Sequence, residues 1–141
     1  MSACVLDASF TFQWLFKDEA SPEGYAALAL ISADGALVPV LWFTEITNGL
    51  GMAERRGRLT LDGLQDALRL LRSLPLRVDD PPSLAWSDPV LALMRAHRLS
   101  AYDASYLELA IRSGLPLATG DKPLRRAAVA VGVPLLAVDA T

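Results

Sequence analysis

Four carboxylates stand out by their positions in the chain: Asp7, Glu45, Asp103 and Asp121. Asp7 closes a short apolar run, SACVL, and Asp121 follows the run PLAT after a single Gly. Asp103 lies in the opening turn of AYDASYLELAIRS, where the partial positive charge of a helix N-terminus favours an anion. Its neighbours at i+3, i+4 and i+7 are Tyr106, Leu107 and Ala110, so this Asp shares an apolar stripe and points toward the core or a cleft. Glu45 interrupts an apolar helix start, LWFTEI, with Asn48 and Gly49 one turn later on its own face. Taken singly, each acid has an ordinary explanation. Asp7 and Asp121 read as N-caps, Ser100 with Asp103 as a capping box, and Glu45 as a solvated first-turn carboxylate. Gathered in one place they read differently. Two unit charges about 4 Å apart oppose each other by about 4 kcal/mol at an effective dielectric of about 20, so such a cluster takes up protons or binds a cation. All-oxygen donors without His or Cys suit Mg2+ or Mn2+ rather than Zn2+, and Mg2+ commonly serves phosphate chemistry.

The elements between these acids decide whether they meet. Residues 1–6 read as a short buried strand ending at Asp7, and ASFTFQWLF has the length and bulk of a helix. Ser21-Pro22 is a helix start, with Ser as N-cap and Pro at the first position, and the helix continues to Asp34-Gly35. ALVPV is a second strand, followed by a helical pattern from Leu41 to about Arg56. Thr60 caps a helix whose Leu61, Leu64, Leu68 and Leu71 recur at helical spacing. LPLRV is a third strand, and residues 83–98 read as helical, with Pro89 admissible only in a first turn. Ser100 caps the next helix, which Gly114 ends. PLAT is a fourth strand, KPLRRAAVAV a helix ended by Gly132, and PLLAV a last strand. Strands alternating with helices predict an α/β fold, a three-layer sandwich with a mainly parallel central sheet flanked by helices. In such sheets, sites form beyond the carboxyl ends of the strands, which is where Asp7 and Asp121 fall.

A chain of 141 residues, 52% hydrophobic and 21% charged, fits one domain with a real core, so residues 1–141 are read as a single unit. The lone Cys4 excludes an internal disulfide and reads as a buried thiol, and His97 reads as a solvated helix residue. No secretory signal and no apolar run of membrane-spanning length is visible, so a cytoplasmic protein without a membrane partner is expected. The net charge of −3 does not advertise a nucleic-acid binder, but setting aside the four acids leaves +1 for the remainder. Eleven of the thirteen basic residues are Arg, in groups at 55, 56 and 58, at 69 and 72, and at 125 and 126. Arg suits phosphate or carboxylate forks, although each group reads equally well as a solvated helix face.

The strings VLDAS, VPVLWFTEITN, LSAYDASYLELA and LATGD followed by KPLRRAA together resemble the PIN-domain nucleases, in particular their VapC-like toxin branch. The resemblance runs nearly end to end, with the acids in the family's order and spacing. It implies a PIN-like fold and a metal-dependent endoribonuclease paired with a small antitoxin. Asp7, Glu45, Asp103 and Asp121 match the family's acidic quartet, and Thr119 matches a hydroxyl that helps order the site. Ser9 stands where a small hydroxyl residue is common, and Asn48 is a supporting residue by position. For Ser9 and Asn48 the alternatives, a first-turn hydroxyl and a solvated amide, stay open.

The expected mechanism places one or two Mg2+, or Mn2+ as a substitute, on Asp7, Asp103 and Asp121, with Glu45 binding directly or through water. Activated water then hydrolyses RNA, leaving a 5′-phosphate and a 3′-hydroxyl. A cavity of carboxylates is a natural receptor for an Arg of the antitoxin. Leu28, Leu30, Ile31, Trp42 and Phe43 exceed what one small core takes up. Most of them read as core and the rest as an antitoxin groove or homodimer contact, with Trp14 fitting either. Two competing readings remain at this level. One is a non-catalytic module of the same fold that binds RNA or a partner. The other is a phosphoacceptor or phosphatase, for which Ser9 stands where a second Asp is wanted and Lys122 only neighbours Asp121.

Overall fold

The computed structural model describes residues 1–136. Its centre is a four-stranded parallel sheet: β1 (Cys4–Leu6), β2 (Ala36–Pro39), β3 (Leu76–Asp79) and β4 (Leu117–Ala118), in the order β3-β2-β1-β4. β1 pairs Cys4 with Ala36 and Val5 with Leu37 on one side, and Val5 with Leu117 and Leu6 with Ala118 on the other. β2 and β3 pair from Ala36–Leu76 to Pro39–Asp79. β1, β2 and β4 are buried along their whole length, as parallel strands covered on both faces must be. β3 is an edge strand and leaves Val78 about half exposed.

Seven α-helices flank the sheet among the described residues: α1 (Ala8–Leu15), α2 (Pro22–Asp34), α3 (Leu41–Arg55), α4 (Leu61–Ser73), α5 (Ser87–His97), α6 (Ala101–Ser113) and α7 (Lys122–Ala130). The side chains expected to cap them do so. Ser21, Thr60, Ser100 and Asp121 accept from the backbone N–H of Gly24, Gly63, Asp103 and Leu124, satisfying donors that the first helical turn leaves free. Gly114 ends α6 in the left-handed region, φ 69°. Gly49 has a different role. A Cβ built there would stand 2.1 Å from the Phe12 ring, so the missing side chain of α3 is what lets α1 pack so closely.

Some boundaries differ from the sequence reading, for physical reasons. The helix expected from Ser83 starts as a 3-10 turn at Leu84–Trp86, and α5 proper begins at Ser87, which leaves Pro89 in its first turn. A second 3-10 turn, Lys17–Glu19, has no clear local signal. Arg58 holds it from the α3–α4 connection, bonding Asp18 and Glu19 at 2.9 and 3.1 Å and lying 4.2 Å over the Phe16 ring. Of the expected last strand PLLAV, Leu135 forms a single parallel bridge to Leu117, and residues 137–138 lie outside the described residues. No helix of the described residues is long and apolar enough to cross a membrane.

Ile31 and Trp42 belong to the core, as does Trp14, whose indole N–H donates to the Gly24 carbonyl at 2.7 Å. Leu28 is partly buried against the core, Leu30 is half-buried and Phe43 is exposed. The core is therefore the fate of the indoles, and the surface excess is smaller than the sequence suggests. Cys4 is buried in β1, where desolvation pushes its thiol up to about 12.

Candidate functional site

All four strands run the same way, so their carboxyl ends share one edge, and the connections leaving that edge carry the acids. Asp7 follows β1, Glu45 sits in the first turns of α3 after β2, and Asp121 caps α7 after β4. α6 leads back into β4 and so runs against the strands, which brings its N-terminal turn and Asp103 to the same edge. The topology thus assembles what 114 positions of sequence separate, from residue 7 to residue 121.

Asp7 is the anchor. Its backbone N–H continues the sheet ladder by bonding the Ala118 carbonyl at 2.9 Å, which fixes it beside Thr119. Only 4% of it is exposed, yet its Oδ2 accepts two short hydroxyl bonds, from Ser9 and Thr119, each 2.6 Å. Burial raises its pKa, the two hydroxyls oppose that rise, and the charge of Asp121 adds to it. Thr119 is fully buried and does double work: its Oγ1 donates to Asp7 and accepts from the Asp121 backbone N–H at 3.1 Å. Ser9 Oγ likewise donates to Asp7 and accepts from the Gly120 N–H at 3.2 Å. Arg125 bonds the Thr119 carbonyl at 2.9 Å and closes the loop from β4 to α7.

The other acids feel one another. Asp103 is pushed up to about 6, by desolvation first and then by Asp121 and Asp7. Glu45 is also raised, by burial and by the charges of Asp7 and Asp103, against the opposing bond from the Tyr106 phenol. Among the described residues, none of the four acids is paired with Lys or Arg. The ion pairs run instead from Arg58 to Asp18 and Glu19, from Arg69 to Asp66, and from Arg112 to Asp79 and Glu108. Negative charge therefore gathers at the sheet edge without a direct ion pair among the described residues.

That donor set fits a hard divalent cation. Among the described residues, no three His, Cys, Asp or Glu side chains stand close enough together to hold a metal ion as a ready-made cage. Mg2+ does not require one, because it commonly binds through one or two carboxylates and completes its shell with water.

The remaining candidates fall on both sides. Ser9 and Thr119 are in the network around Asp7. Asn48 lies on the exposed face of α3 with Phe43, Thr44 and Thr47, and among the described residues it makes no hydrogen bond to the acids. His97 ends α5, half-buried. An apolar cleft lined by Pro39, Leu41, Pro81, Leu84, Trp86 and Leu109 holds none of the four acids. A more polar groove brings Gln13, Lys122 and Arg125 up against Thr119 and Gly120. Sequence reasoning passed over Tyr106, whose only signal is a hydroxyl-bearing aromatic one turn after Asp103 where Phe or Leu would fill the core as well.

The chain also resembles known proteins along most of its length. A family model described as "PIN domain" matches residues 4–130. The chain is 33% identical over 126 residues to Ribonuclease VapC3 of Mycobacterium tuberculosis, in both strain CDC 1551 / Oshkosh and strain ATCC 25618 / H37Rv, covering 87% of this chain and 85% of that protein. Among solved structures it is similar to PAE2754 from Pyrobaculum aerophilum, with a TM-score of 0.68 and 26% identity, over 89% of this chain and 79% of that one.

Proposed function

This chain belongs to the PIN-domain family, and from that premise we propose that it is a metal-dependent endoribonuclease, the toxin of a toxin–antitoxin pair. Its substrate is RNA, and its products carry a 5′-phosphate and a 3′-hydroxyl. The observation that carries the reading is the convergence of Asp7, Glu45, Asp103 and Asp121 without a cationic partner, each of the first three raised in pKa.

Asp7, Asp103 and Asp121 would hold one or two Mg2+ or Mn2+ ions, with Glu45 bound directly or through water. When bound, such an ion supplies a more acidic water and neutralises charge on the phosphate. The chain's own residues supply order. Ser9 and Thr119 fix the rotation of the Asp7 carboxylate through two hydroxyl bonds to one oxygen. Thr119 also ties the Asp121 backbone to Asp7, so one hydroxyl joins the ends of β1 and β4. Lys122 and Arg125, in the groove beside Thr119 and Gly120, give the RNA backbone cationic partners next to the acids. Under this reading the antitoxin places an Arg among the carboxylates, the protein works as a homodimer in the cytoplasm, and residues 1–141 act as one nuclease domain.

End-group analysis tests the chemistry. Fragments from purified, antitoxin-free protein should accept ligation that requires a 5′-phosphate and carry free 3′-hydroxyls. A 2′,3′-cyclic phosphate would mean that the ribose hydroxyl attacked, and the scheme would fall. RNA that is bound but left intact would favour a non-catalytic module.

A further inference from the structure

We propose that Tyr106 is a positioning residue for Glu45: its phenol holds one carboxylate oxygen and leaves the other for the cation. The inference rests on the metal-dependent reading above and assigns a role to a residue outside the acidic quartet.

Tyr106 lies one helical turn after Asp103 on α6, so one helix face presents both side chains. It is fully buried, and its O–H donates to Glu45 Oε1 of α3 at 2.5 Å. A single hydroxyl thus links α6 to α3, two of the segments that carry the acids. Among the described residues, Glu45 Oε2 accepts no hydrogen bond.

The choice of side chain fits the task. Lys or Arg at this position would neutralise the cluster and compete with a cation. Ser or Thr would be too short to span from α6 to α3. Phe would fill the same space but leave the half-buried Glu45 without a donor. The phenol donates without adding charge, since a tyrosine hydroxyl, with an ordinary pKa of about 10, keeps its proton at neutral pH. Glu has three rotatable bonds, and a ligand that must first be ordered binds more weakly than one already held. Fixing Glu45 by one oxygen removes that freedom in advance.

The test is Mn2+ titration of the metal-stripped, full-length protein, with free Mn2+ read by electron paramagnetic resonance. Wild type is compared with Tyr106→Phe, Glu45→Gln and the double variant. Tyr106→Phe should weaken Mn2+ binding about tenfold. It should need correspondingly more Mn2+ for half-maximal RNA cleavage and recover the wild-type kcat at saturating Mn2+, with the KM for RNA unchanged. Adding Tyr106→Phe to Glu45→Gln should cost no further Mn2+ affinity, because the amide can still accept from the phenol but is no longer an anionic ligand whose ordering matters. Wild-type affinity in Tyr106→Phe, additive losses in the double variant, or a loss that excess Mn2+ does not restore would overturn the assignment. If Tyr106→Phe does not fold, Glu45→Asp withdraws the carboxylate from the phenol while keeping its charge, and wild-type affinity there would overturn it equally. A wild-type protein that binds no Mn2+ would sink the nuclease reading and this inference together, whereas an intact wild type with an unaffected Tyr106→Phe sinks this one alone.

Discussion

Replacing Asp103 by Asn removes a charge that the folded, metal-free protein bears at a cost, so the variant should be the more stable one at neutral and alkaline pH. Asp103 titrates near 6 in the fold against 3.8 as a free side chain, a rise caused by desolvation and by Asp121 and Asp7. At about 1.4 kcal/mol per unit this corresponds to roughly 3 kcal/mol, and because the side chain is only half-buried, solvent screening leaves about 1.5 kcal/mol. The sign follows from the direction of the shift. A carboxyl whose folded pKa is raised binds protons more tightly in the native state. Its contribution to stability is complete below pH 3.8 and is lost as the pH rises through about 6. At pH 8 in EDTA, Asp103→Asn should therefore melt about 5 °C above wild type, given a few degrees per kcal/mol for a chain of this size. At pH 4.5 wild-type Asp103 already carries its proton in the folded state, and most of the difference should vanish. Mg2+ at pH 8 should stabilise wild type more than the variant, since a ligand stabilises the state that binds it. Differential scanning fluorimetry across this grid is sufficient. An Asp103→Asn protein that melts at or below wild type at pH 8, or that keeps the same advantage at pH 4.5, would refute the claim that the fold bears the Asp103 charge at a cost, through desolvation first and Asp121 and Asp7 second.

Two further perturbations probe the frame that holds the acids. Thr119→Val keeps the volume but removes one of the two donors to Asp7 Oδ2 and the acceptor for the Asp121 N–H, leaving Oδ2 with Ser9 alone and the N–H unpaired; urea unfolding should show a loss of about 1 to 3 kcal/mol, and RNA cleavage should fall with it. Gly49→Ala would gain helix propensity in isolation, yet its Cβ meets the Phe12 ring at 2.1 Å, so a net loss of about 1 to 3 kcal/mol is expected, and a melting temperature above wild type would show that α1 and α3 are not packed this closely.

The sequence and the structure agree best where function depends on local chemistry at the end of a strand. Asp7 and Asp121 were legible because each follows an apolar run and precedes a helix, so strand, acid and cap sit within a few residues of one another. Thr119 was expected only through the family resemblance, and the fold gives its position a physical account: the residue leaving β4 faces Asp7 across the β1–β4 pair, while its hydroxyl reaches the N–H two residues on. The roles of Tyr106 and Arg58 were not legible. On an apolar stripe, a tyrosine that fills the core and one that orients a carboxylate read the same, and the partner that distinguishes them is on another helix. Arg58 belongs to an Arg-rich stretch that suggested phosphate or solvent, whereas in the fold it spans from the α3–α4 connection to Asp18, Glu19 and the Phe16 ring. Asn48 shows the opposite case. Its position on α3, one turn after Glu45, suggested a shared face, but Gly49 is the residue turned to the protein, against Phe12, and Asn48 faces outward.

The central claim, that Asp7 anchors a metal-dependent RNA-cleaving centre, is tested most directly by incubating end-labelled total RNA with antitoxin-free wild-type protein in Mg2+, in EDTA, and with Asp7→Asn in Mg2+. The account predicts discrete fragments in the first reaction and intact RNA in the other two, with Asp7→Asn as well folded as wild type. Cleavage that persists in EDTA, or that a folded Asp7→Asn protein carries out at the wild-type rate, would contradict it.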